Sequence, residues 1–359
     1  MAAHAIPSVH TGSKLHLTAC GQYRGLRVLA WDRNVLYASR DYALLRSHFS
    51  PEPGEWEEVA RFQPDWLRRA TSTQTLSARL MRDGFHALAV LPTGHLVAAV
   101  PGHIVTLAPG EHEFCVTQEL LRGTRPLHIA ATPDGRLYWG EYFDNPARDE
   151  VHIYASLDSG ATWNIAYTFA PGAIRHIHNI VYDEVQNCLW ILTGDNAAEC
   201  RILRASTDLS TVDVVLAGGQ QARAVALVPA ADGLYFASDT PLDSNHVYRL
   251  TRRGDLTLVA DLPSSSIYGC RVGDSVFFST MVEPSHKNRD RHVHISGSAD
   301  GTHWTSLLRW KKDRWSMKYF QYGNAFLPDG TNATNYLALT TVATTEDDQT
   351  TSIYRVEVL

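Results

Sequence analysis

The sequence predicts an all-β protein in which one four-stranded unit occurs seven times. Its 359 residues contain seven segments with a common plan: an apolar strand, a turn rich in Gly, Asp or Asn, and a second apolar strand rich in aromatic residues. A third and a fourth strand follow most of these pairs, as in VHIYASLDSGATWNIAYTF at 151–169. A repeat of roughly 40 to 60 residues is typical of β-propeller blades and longer than leucine-rich or tetratricopeptide repeats. We therefore predict a seven-bladed β-propeller of four-stranded antiparallel blades.

The seven blades are expected to follow one another within a single domain over residues 1–359. They begin near residues 24, 85, 126, 175, 222, 266 and 318. The last unit has only three strands before the C-terminus, whereas KLHLTA at 14–19 is a strand without a blade. We expect strand 14–19 to complete the last blade and close the ring. Helix is scarce, and TLSARLMRDG at 75–84 is the best helical candidate.

The composition limits the compartment and the partners. A formal net charge of −6 disfavours a protein whose main partner is nucleic acid, because such proteins usually present a concentrated basic face. Five scattered cysteines indicate buried free thiols in a reducing compartment rather than a disulfide framework. No apolar run approaches about eighteen residues, so no membrane span or membrane partner is expected. The N-terminal segment lacks the pattern of a signal peptide, which indicates a cytoplasmic location.

Conserved geometry of the propeller fold lets the sequence predict which residues meet in space. The first strand of each blade lines the central channel, and its start lies at the same mouth as the loops that join second to third strands. The residues expected near the first-strand starts are Arg24, His86, His128, Arg175, His176, His178, Arg223, Tyr268 and Tyr322. The loops between second and third strands add Tyr142, Asp144, Asp195, Asp239 and Glu283. The mouth is therefore predicted to be rich in Arg, His and Tyr and ringed by carboxylates.

The segment RHIHN at 175–179 is the strongest candidate for a functional site. Alternation along a strand places His176 and His178 on one side, with Arg175 at the strand's start. Two histidines at this spacing can share a metal ion if another blade supplies a third ligand. A pair of hydrogen-bonded structural histidines in a packed blade is the alternative. RHVHIS at 291–296 repeats the spacing further from the axis and is expected to be structural.

The connection at 63–84 is expected to pass over the same mouth. It carries four basic residues, Arg68, Arg69, Arg79 and Arg82. This segment is either a lid or a solvated basic helix.

The stretch SLDSGATW at 156–163 is a turn motif that recurs in weaker form. Asp158 can cap its own turn, Gly160 tolerates positive φ, and Trp163 can pack over the loop. GSADGTHW keeps Ser298, Asp300 and Trp304 but is one residue shorter, and RASTDLST at 204–211 keeps only Ser206 and Asp208. These hairpins join third to fourth strands, which places them on the outer rim at the other end of the ring. A structural role is expected for them.

Ser156 to Trp163 resembles the Asp-box, or BNR repeat, of the sialidase superfamily at every defined position. The resemblance implies a propeller fold and a sialidase-like glycosidase activity. In such enzymes arginines bind the substrate carboxylate, and the resemblance assigns this role to Arg24, Arg175 and Arg223, with Tyr322 as the catalytic tyrosine. Around Arg24, in QYRGL, the Ile-Pro of the sialidase pattern is missing.

A more distant resemblance links the predicted mouth to propeller-fold polysaccharide lyases that act on uronic acid sugars. It implies that Arg175 neutralises the uronate carboxylate, with Arg223, Arg24, His128, Asp195, Asp239 and Glu283 also binding substrate. A histidine then removes the C5 proton, and Tyr142 or Tyr322 protonates the leaving oxygen. The histidines available as base are His176, His178, His86 and His128.

These observations predict a carbohydrate-active propeller that cleaves glycosidic bonds of an acidic sugar, with uronate lyase favoured over sialidase-like hydrolase. The ligand would be an acidic saccharide or another small anion. A divalent metal ion on His176 and His178 is left open as a cofactor. The alternative is a propeller that binds a ligand or a protein without chemistry.

Overall fold

The computed structural model describes residues 13–359 as a ring of seven β-sheets. Each sheet is a four-stranded antiparallel blade, so the predicted fold class is confirmed. Residues 1–12, which include most of the segment used for the targeting prediction, lie outside the described part. In the part that is described, no helix is long and apolar enough to cross a membrane.

The first half of the ring follows the N-terminal strand β1 (Leu15–Arg24). Blade one contains β2 (Arg27–Arg33), β3 (Val35–Arg40), β4 (Ala43–His48) and β5 (Glu57–Arg61). Two helices, α1 (Trp66–Ser72) and α2 (Thr75–Met81), lead to blade two, which contains β6 (Ala87–Val90), β7 (Leu96–Val100), β8 (His103–Leu107) and β9 (Cys115–Glu119). Blade three contains β10 (Ala130–Ala131), β11 (Leu137–Gly140), β12 (Val151–Ser156) and β13 (Asn164–Phe169).

The remaining blades repeat the same plan. Blade four contains β14 (Ile177–Asp183), β15 (Cys188–Thr193), β16 (Arg201–Ser206) and β17 (Val212–Ala217). Blade five contains β18 (Ala224–Ala230), β19 (Gly233–Ser238), β20 (Asn245–Leu250) and β21 (Leu256–Leu262). Blade six contains β22 (Ser266–Val272), β23 (Ser275–Thr280), β24 (His292–Ser298) and β25 (Thr305–Lys311). Blade seven contains β26 (Asn324–Phe326), β28 (Tyr336–Val342) and β29 (Thr350–Val358), and β27 (Asp329–Asn332) lies between its first two strands in sequence.

The ring closes through pairings between its two ends. Strand β1 pairs antiparallel with β29 and becomes the outermost strand of blade seven. Strand β27 pairs parallel with β2, so it adds a fifth strand to blade one. Closure by the N-terminal strand matches the prediction, although β1 extends to Arg24 rather than ending at residue 19.

Arg24 therefore does not occupy the position that the sequence indicated. It pairs with Thr350 at the end of β1, on the outer edge of blade seven, and its side chain is exposed. The prediction that Arg24 lies near the start of the first strand of blade one is wrong, because that strand begins at Arg27. The apolar run from Leu26 hid the break between the two strands.

The hydrophobic core is divided among the contacts between neighbouring blades. In the described residues, seven apolar clusters each join two adjacent blades, and together they complete the ring. Trp190 of blade four, for example, packs in one cluster with Phe236 of blade five, and both are fully buried. The middle strands are accordingly buried on both faces, as in CLWILT of β15, where all six residues are buried. This packing holds the inner strand of each blade at a fixed place around the channel.

The helical connection is fixed to the blades by ion pairs. Helix α2 lies within the predicted helix, whereas α1 begins after Asp65, whose carboxylate accepts the Arg68 N–H at 2.9 Å. Arg68 and Thr71 both donate to the buried carboxylate of Asp83, at 2.9 and 2.6 Å. On the other side, buried Arg79 donates to Asp313 at 2.8 Å, beyond blade six. The contacts to Asp83 hold the connection together, and the Arg79–Asp313 pair ties this covering segment to the link between blades six and seven.

The Asp-box stretch forms the turn between β12 and β13 and stabilises the contact with blade two. Asp158 accepts hydrogen bonds from the Ser156 hydroxyl at 2.8 Å and from the Thr162 N–H at 2.9 Å. Gly160 has a φ of 86°, and its carbonyl accepts from Thr106 of blade two at 2.9 Å. A Cβ at residue 160 would lie 2.7 Å from the Val97 side chain, so only glycine fits.

The two tryptophans of the Asp-box copies face neighbouring blades. Trp163 packs edge-on to Trp139, and its indole N–H lies 3.4 Å from Thr117 of blade two. In the shorter copy Trp304 stacks on Phe278, while Ser298 donates to Asp300 at 3.2 Å. Both copies thus form turns whose tryptophans pack in the apolar cluster shared with the preceding blade.

Candidate functional site at the channel mouth

The starts of the first strands and the loops after the second strands meet at one end of the channel. Arg175, which precedes β14, pairs with Asp195 in the loop after β15. Arg223, which precedes β18, pairs with Asp239, which follows β19. The same Arg223 also reaches Asp195, so the contacts connect blades four and five. We call this end of the ring the channel mouth.

The histidine pair is held with both Nε2 atoms facing each other. His176 Nδ1 lies 3.0 Å from the Phe143 carbonyl of blade three, and His178 Nδ1 lies 2.8 Å from the Ala224 carbonyl of blade five. A carbonyl oxygen only accepts, so each Nδ1 carries the ring proton. The two Nε2 atoms are 3.1 Å apart, and both rings are at least 95% buried, with exposed fractions of 5% and 3%.

Asp195 completes this cluster. Its carboxylate oxygens lie 3.5 Å from His176 Nε2 and 3.4 Å from His178 Nε2. Burial acts to raise the pKa of Asp195, but the histidines, when they are also protonated at Nε2, and the charge of Arg223 hold the pKa well below its usual range. The backbone of Asp195 has a φ of 140°, a conformation that costs energy for a residue other than glycine. Such strain is often found where a side chain must point at a ligand.

Two further carboxylates lie beside Arg223. Asp239 is 5% exposed, and its Oδ1 atom has no hydrogen-bond partner. Burial raises the pKa of Asp239, although Arg223 opposes the shift. Burial and the negative charge of Asp239 likewise raise the pKa of Glu283, which accepts a hydrogen bond from Ser265 at 2.8 Å. A carboxylate with a raised pKa is a better proton acceptor at neutral pH.

Blades one to three contribute three arginines without carboxylate partners: Arg27, Arg82 and Arg125. Among the described residues, none of the ion pairs includes any of the three. Burial, together with the positive charges of Arg82 and Arg27, lowers the pKa of Arg125 to about 10. Burial also lowers the pKa of Arg27, whose Nε has no hydrogen-bond partner. We call these three residues the arginine trio.

His86 fixes part of the arginine trio. Its Nδ1 lies 3.2 Å from a guanidinium nitrogen of Arg27, and its Nε2 lies 2.7 Å from the Arg82 carbonyl. Burial and the charges of Arg125 and Arg27 hold the pKa of His86 well below its usual range. The ring is therefore neutral, with Nδ1 accepting from Arg27 and Nε2 donating to Arg82. Both nitrogen atoms are engaged, which makes His86 a positioning residue.

Tyrosines line the boundary between the two parts of the mouth. The Tyr142 ring lies 4.5 Å from the His176 ring, and it is within electrostatic range of both Arg125 and Arg223. Burial, with the charges of Asp239 and Asp195, raises the pKa of Tyr142 to about 12. The pKa of Tyr322 is also raised, by burial and by Glu283. Both hydroxyls stay protonated at neutral pH and can donate.

His128 lies deeper than the mouth. Its Nδ1 is 2.9 Å from the Asp329 carboxylate, which β27 places in the channel. Together with Tyr268 and Asn179 it lines a channel cavity of about 350 Å³. The sequence placed His128 at the mouth, near the start of a first strand, and did not indicate its acidic partner.

The sequence predicts the half of the mouth formed by blades four and five but not the arginines of blades one to three. Arg175, His176, His178, Arg223, Asp195 and Asp239 lie together through the contacts described above. Arg27 and Arg125 were not singled out, and Arg82 was assigned only to the covering segment. Arg125 stands directly before its blade, as Arg175 and Arg223 do before theirs, and this shared position was the signal that could have found it.

The second histidine pair forms a separate cluster on the third strand of blade six. His292 Nδ1 lies 2.7 Å from one oxygen of Asp290, and His294 Nε2 lies 2.9 Å from the other. His294 Nδ1 also contacts the Ser306 hydroxyl at 3.1 Å. The carboxylate thus satisfies both rings, which fits the structural role that the sequence indicated.

Comparison with known proteins identifies a fold and no family. No family model matches the chain, and no curated protein matches it. Among solved structures, a chain of the Mitotic Checkpoint Complex aligns over 99% of this chain and 98% of its own, at 9% identity and a TM-score of 0.56. The WD40 beta propeller domain of Doa1 aligns over 96% and 97%, at 12% identity and a TM-score of 0.51.

An enzyme is also similar in structure. The GH74 enzyme of Niastella koreensis aligns over 81% of this chain and 46% of its own, at 17% identity and a TM-score of 0.53. At such identities the likeness defines the class of fold, a β-propeller, and carries no activity with it.

Proposed function

We propose that this chain is a carbohydrate-active propeller that binds an acidic sugar by its carboxylate at the channel mouth and cleaves the adjoining glycosidic bond by elimination. The observation that carries the proposal is the arginine trio. Arg27 and Arg125 are half-buried and Arg82 is exposed, and none of the three cations has a carboxylate partner in the described residues. Arginine matches a carboxylate with two parallel hydrogen bonds, so a carboxylate-bearing ligand would neutralise them.

The arginines that the sequence favoured for this task are already paired. Arg175 contacts Asp144 and Asp195, and Arg223 contacts Asp195 and Asp239. A substrate carboxylate at either residue would compete with a carboxylate of the chain. The arginine trio has no such competitor, and we therefore assign carboxylate binding to it.

Elimination requires three contributions that the mouth can supply. Positive charge on the carboxylate makes the C5 proton acidic, and the arginine trio provides that charge. A base removes the proton, and Glu283, half-buried with a raised pKa, fits this role. The C5 electron pair then forms the C4–C5 double bond as the C4–O bond breaks. Tyr142 donates a proton to the departing oxygen, since its raised pKa of about 12 keeps the hydroxyl protonated.

The pair of carboxylates Asp239 and Glu283 also favours a second reaction, hydrolysis of the same bond. Burial raises the pKa of both carboxyl groups, and the negative charge of Asp239 raises the pKa of Glu283 further. Two carboxylates of this kind are the usual acid and base of glycosidases. Hydrolysis by two carboxylates is thus kept beside elimination, with the same binding site, whereas a sialidase would use a tyrosine as nucleophile, the role that the resemblance gives to Tyr322.

Exposed apolar residues on the covering segment support the alternative, a propeller that binds a protein without catalysing a reaction. Trp66 is 80% exposed and Leu80 is 51% exposed. Exposed apolar residues of this size are frequent at protein contacts. Two of the similar solved structures are a protein complex and a WD40 domain. A propeller that only binds a partner would leave the mouth without turnover.

One assay separates the three outcomes. The purified chain is incubated with uronate oligosaccharides and with a sialoside, while ultraviolet absorbance of unsaturated uronate and new reducing ends are both recorded. Elimination produces both signals, and hydrolysis produces reducing ends alone. Neither signal across the panel would contradict the proposal and leave the binding propeller. Glu283→Gln serves as the inactive variant, and Glu184→Gln, an exposed residue at the far end of the channel, is the matched control.

A further inference from the structure

The mouth contains a group of ligand atoms that the proposed function does not need. His176, His178 and Asp195 each offer one atom, and these atoms all lie within 4.8 Å of one another. From this geometry we propose that the three residues bind one divalent transition metal ion, of the zinc or cobalt type, with a coordination position open toward the channel mouth. The proposal does not depend on the sugar substrate.

The tautomers of the two histidines carry the argument. Because each Nδ1 donates to a backbone carbonyl, each neutral ring has its free electron pair on Nε2. The two Nε2 atoms are 3.1 Å apart, so two electron pairs face each other. This arrangement is repulsive unless a cation lies between them. A carbonyl bond on Nδ1 is also the usual support of a metal-bound histidine.

The distances fit one ion. A tetrahedral ion with ligand bonds of about 2.1 Å separates its ligand atoms by about 3.4 Å. The two Nε2 atoms are 3.1 Å apart, and the Asp195 carboxylate faces both of them: one oxygen lies 3.5 Å from His176 Nε2 and the other lies 3.4 Å from His178 Nε2. Three protein ligands leave one position free, which is the pattern of catalytic rather than structural metal sites.

The surrounding charges favour a cation. Arg175 and Arg223 bring two positive charges, whereas Asp144, Asp195 and Asp239 bring three negative ones. The two neutral histidines add none, so the group carries a surplus of one negative charge. Each oxygen of Asp195 has two acceptor positions, and it can therefore accept from an arginine and still bind a metal.

A proton between the two Nε2 atoms is the alternative to a metal ion. One imidazolium between Asp195 and the second ring would also remove the repulsion. That arrangement binds no metal, whereas the proposed one binds a single equivalent. The two differ in a direct measurement that requires no catalytic activity.

Cobalt(II) is the probe for this measurement. Metal-free protein is titrated with CoCl₂ near neutral pH, while visible absorbance and bound cobalt are recorded. We expect one equivalent of cobalt, the intense visible bands of a four-coordinate ion, and displacement by zinc. Lowering the pH should weaken binding because the histidines must be neutral.

Variants locate the site. His176→Gln and His178→Gln should each abolish the visible bands and reduce cobalt affinity at least tenfold. His292→Gln and His294→Gln remove ligands of the second group with metal-binding spacing, Asp290, His292 and His294, and should bind cobalt like the unmodified chain because both rings already engage the Asp290 carboxylate. Circular dichroism checks that each variant is folded.

Two results would overturn the proposal: no cobalt bound by the folded unmodified chain, or full binding in His176→Gln. If both mouth variants fail to fold, X-ray absorption of the zinc-loaded unmodified chain decides the question. Two imidazole ligands would support the site, and sulfur ligands or fewer than two imidazoles would contradict it.

Discussion

The two halves of the channel mouth differ in how their charges are balanced. In blades one to three, Arg27, Arg82 and Arg125 repel one another and have no carboxylate partner in the described part of the chain. In blades four and five, Arg175 and Arg223 each contact two carboxylates, and with Asp144, Asp195 and Asp239 this group has one more negative than positive charge. An uncompensated, half-buried charge such as that of Arg27 or Arg125 costs stability, and a bound anion would neutralise it. The comparison indicates an anion site beside a cation site.

Tyr142 lies at the junction of these halves. Its ring contacts His176 on one side and is within electrostatic range of Arg125 on the other. A ligand bound by its carboxylate to the arginine trio would therefore place its remaining atoms toward the carboxylates of blades five and six. This arrangement puts binding and proton transfer on opposite sides of one ligand.

The largest effect is expected when the carboxylate half loses its proposed base. Glu283→Gln should lower kcat about 10²- to 10⁴-fold, because the amide cannot accept the proton. Binding should change little, since the arginine trio is intact. The activity of the unmodified chain should fall as pH drops through the pKa of Glu283, which burial raises above the ordinary value of about 4.3. A Glu283→Gln variant with normal turnover would exclude this residue as the base.

Removing the central carboxylate should destabilise the mouth. Asp195→Asn leaves Arg223 and Arg175 partly uncompensated in a buried position and should lower the free energy of unfolding by about 2–4 kcal/mol. Because the pKa of Asp195 is lower in the folded chain, its contribution is complete above about pH 4 and is lost as pH falls further. Urea denaturation at several pH values measures this. Equal pH dependence in variant and unmodified chain would contradict the assigned contacts.

In the arginine half of the mouth, replacing one arginine should weaken ligand binding. Arg125→Gln should weaken the affinity for a uronate oligosaccharide about 10- to 100-fold, the usual loss of a charge-assisted hydrogen bond. Arg136→Gln, whose arginine pairs with Asp134 away from the mouth, is the control and should bind normally. Isothermal titration calorimetry gives both values. A similar loss in the control would point to a nonspecific effect of charge.

The smallest effect is expected at the outer rim. Asp158→Ala removes the acceptor of the Ser156 and Thr162 hydrogen bonds and should cost about 1 kcal/mol, comparable to the loss of a helix cap. Activity at the mouth should be unchanged. Thermal unfolding beside Asp213→Ala, an exposed residue of β17, provides the measurement and its reference. A loss of activity with normal stability would give the Asp-box a role beyond the turn.

The fold was accessible from the sequence because the repeated strand pairs and turns are local patterns. Alternation and Gly-containing turns define each blade, and a spare N-terminal strand together with a last unit of only three strands implies closure. The break between Leu15–Arg24 and Arg27–Arg33 was missed, since only Gly25 and Leu26 separate two strands of different blades. That short link moved the predicted arginine from the mouth to the outer edge.

The site was only partly accessible, because pairing depends on distances between blades. The proximity of Asp195 to His176 and His178 follows from the common mouth. The neutralisation of Arg175 by Asp144 and Asp195 depends on loop conformations that no sequence spacing encodes. The pattern therefore placed the arginines at the mouth but could not show which of them are free for a ligand.

The most direct test of the divided mouth is a calorimetric titration with two matched ligands, a uronate oligosaccharide and its carboxyl-reduced neutral form. We expect only the uronate form to bind the unmodified chain, Arg27→Gln and Arg125→Gln to bind it about 10- to 100-fold more weakly, and Arg175→Gln, prepared as a folded protein, to retain most of the binding. Equal binding of the two ligands, or loss of binding in Arg175→Gln alone, would contradict the assignment of the anion site to the arginine trio.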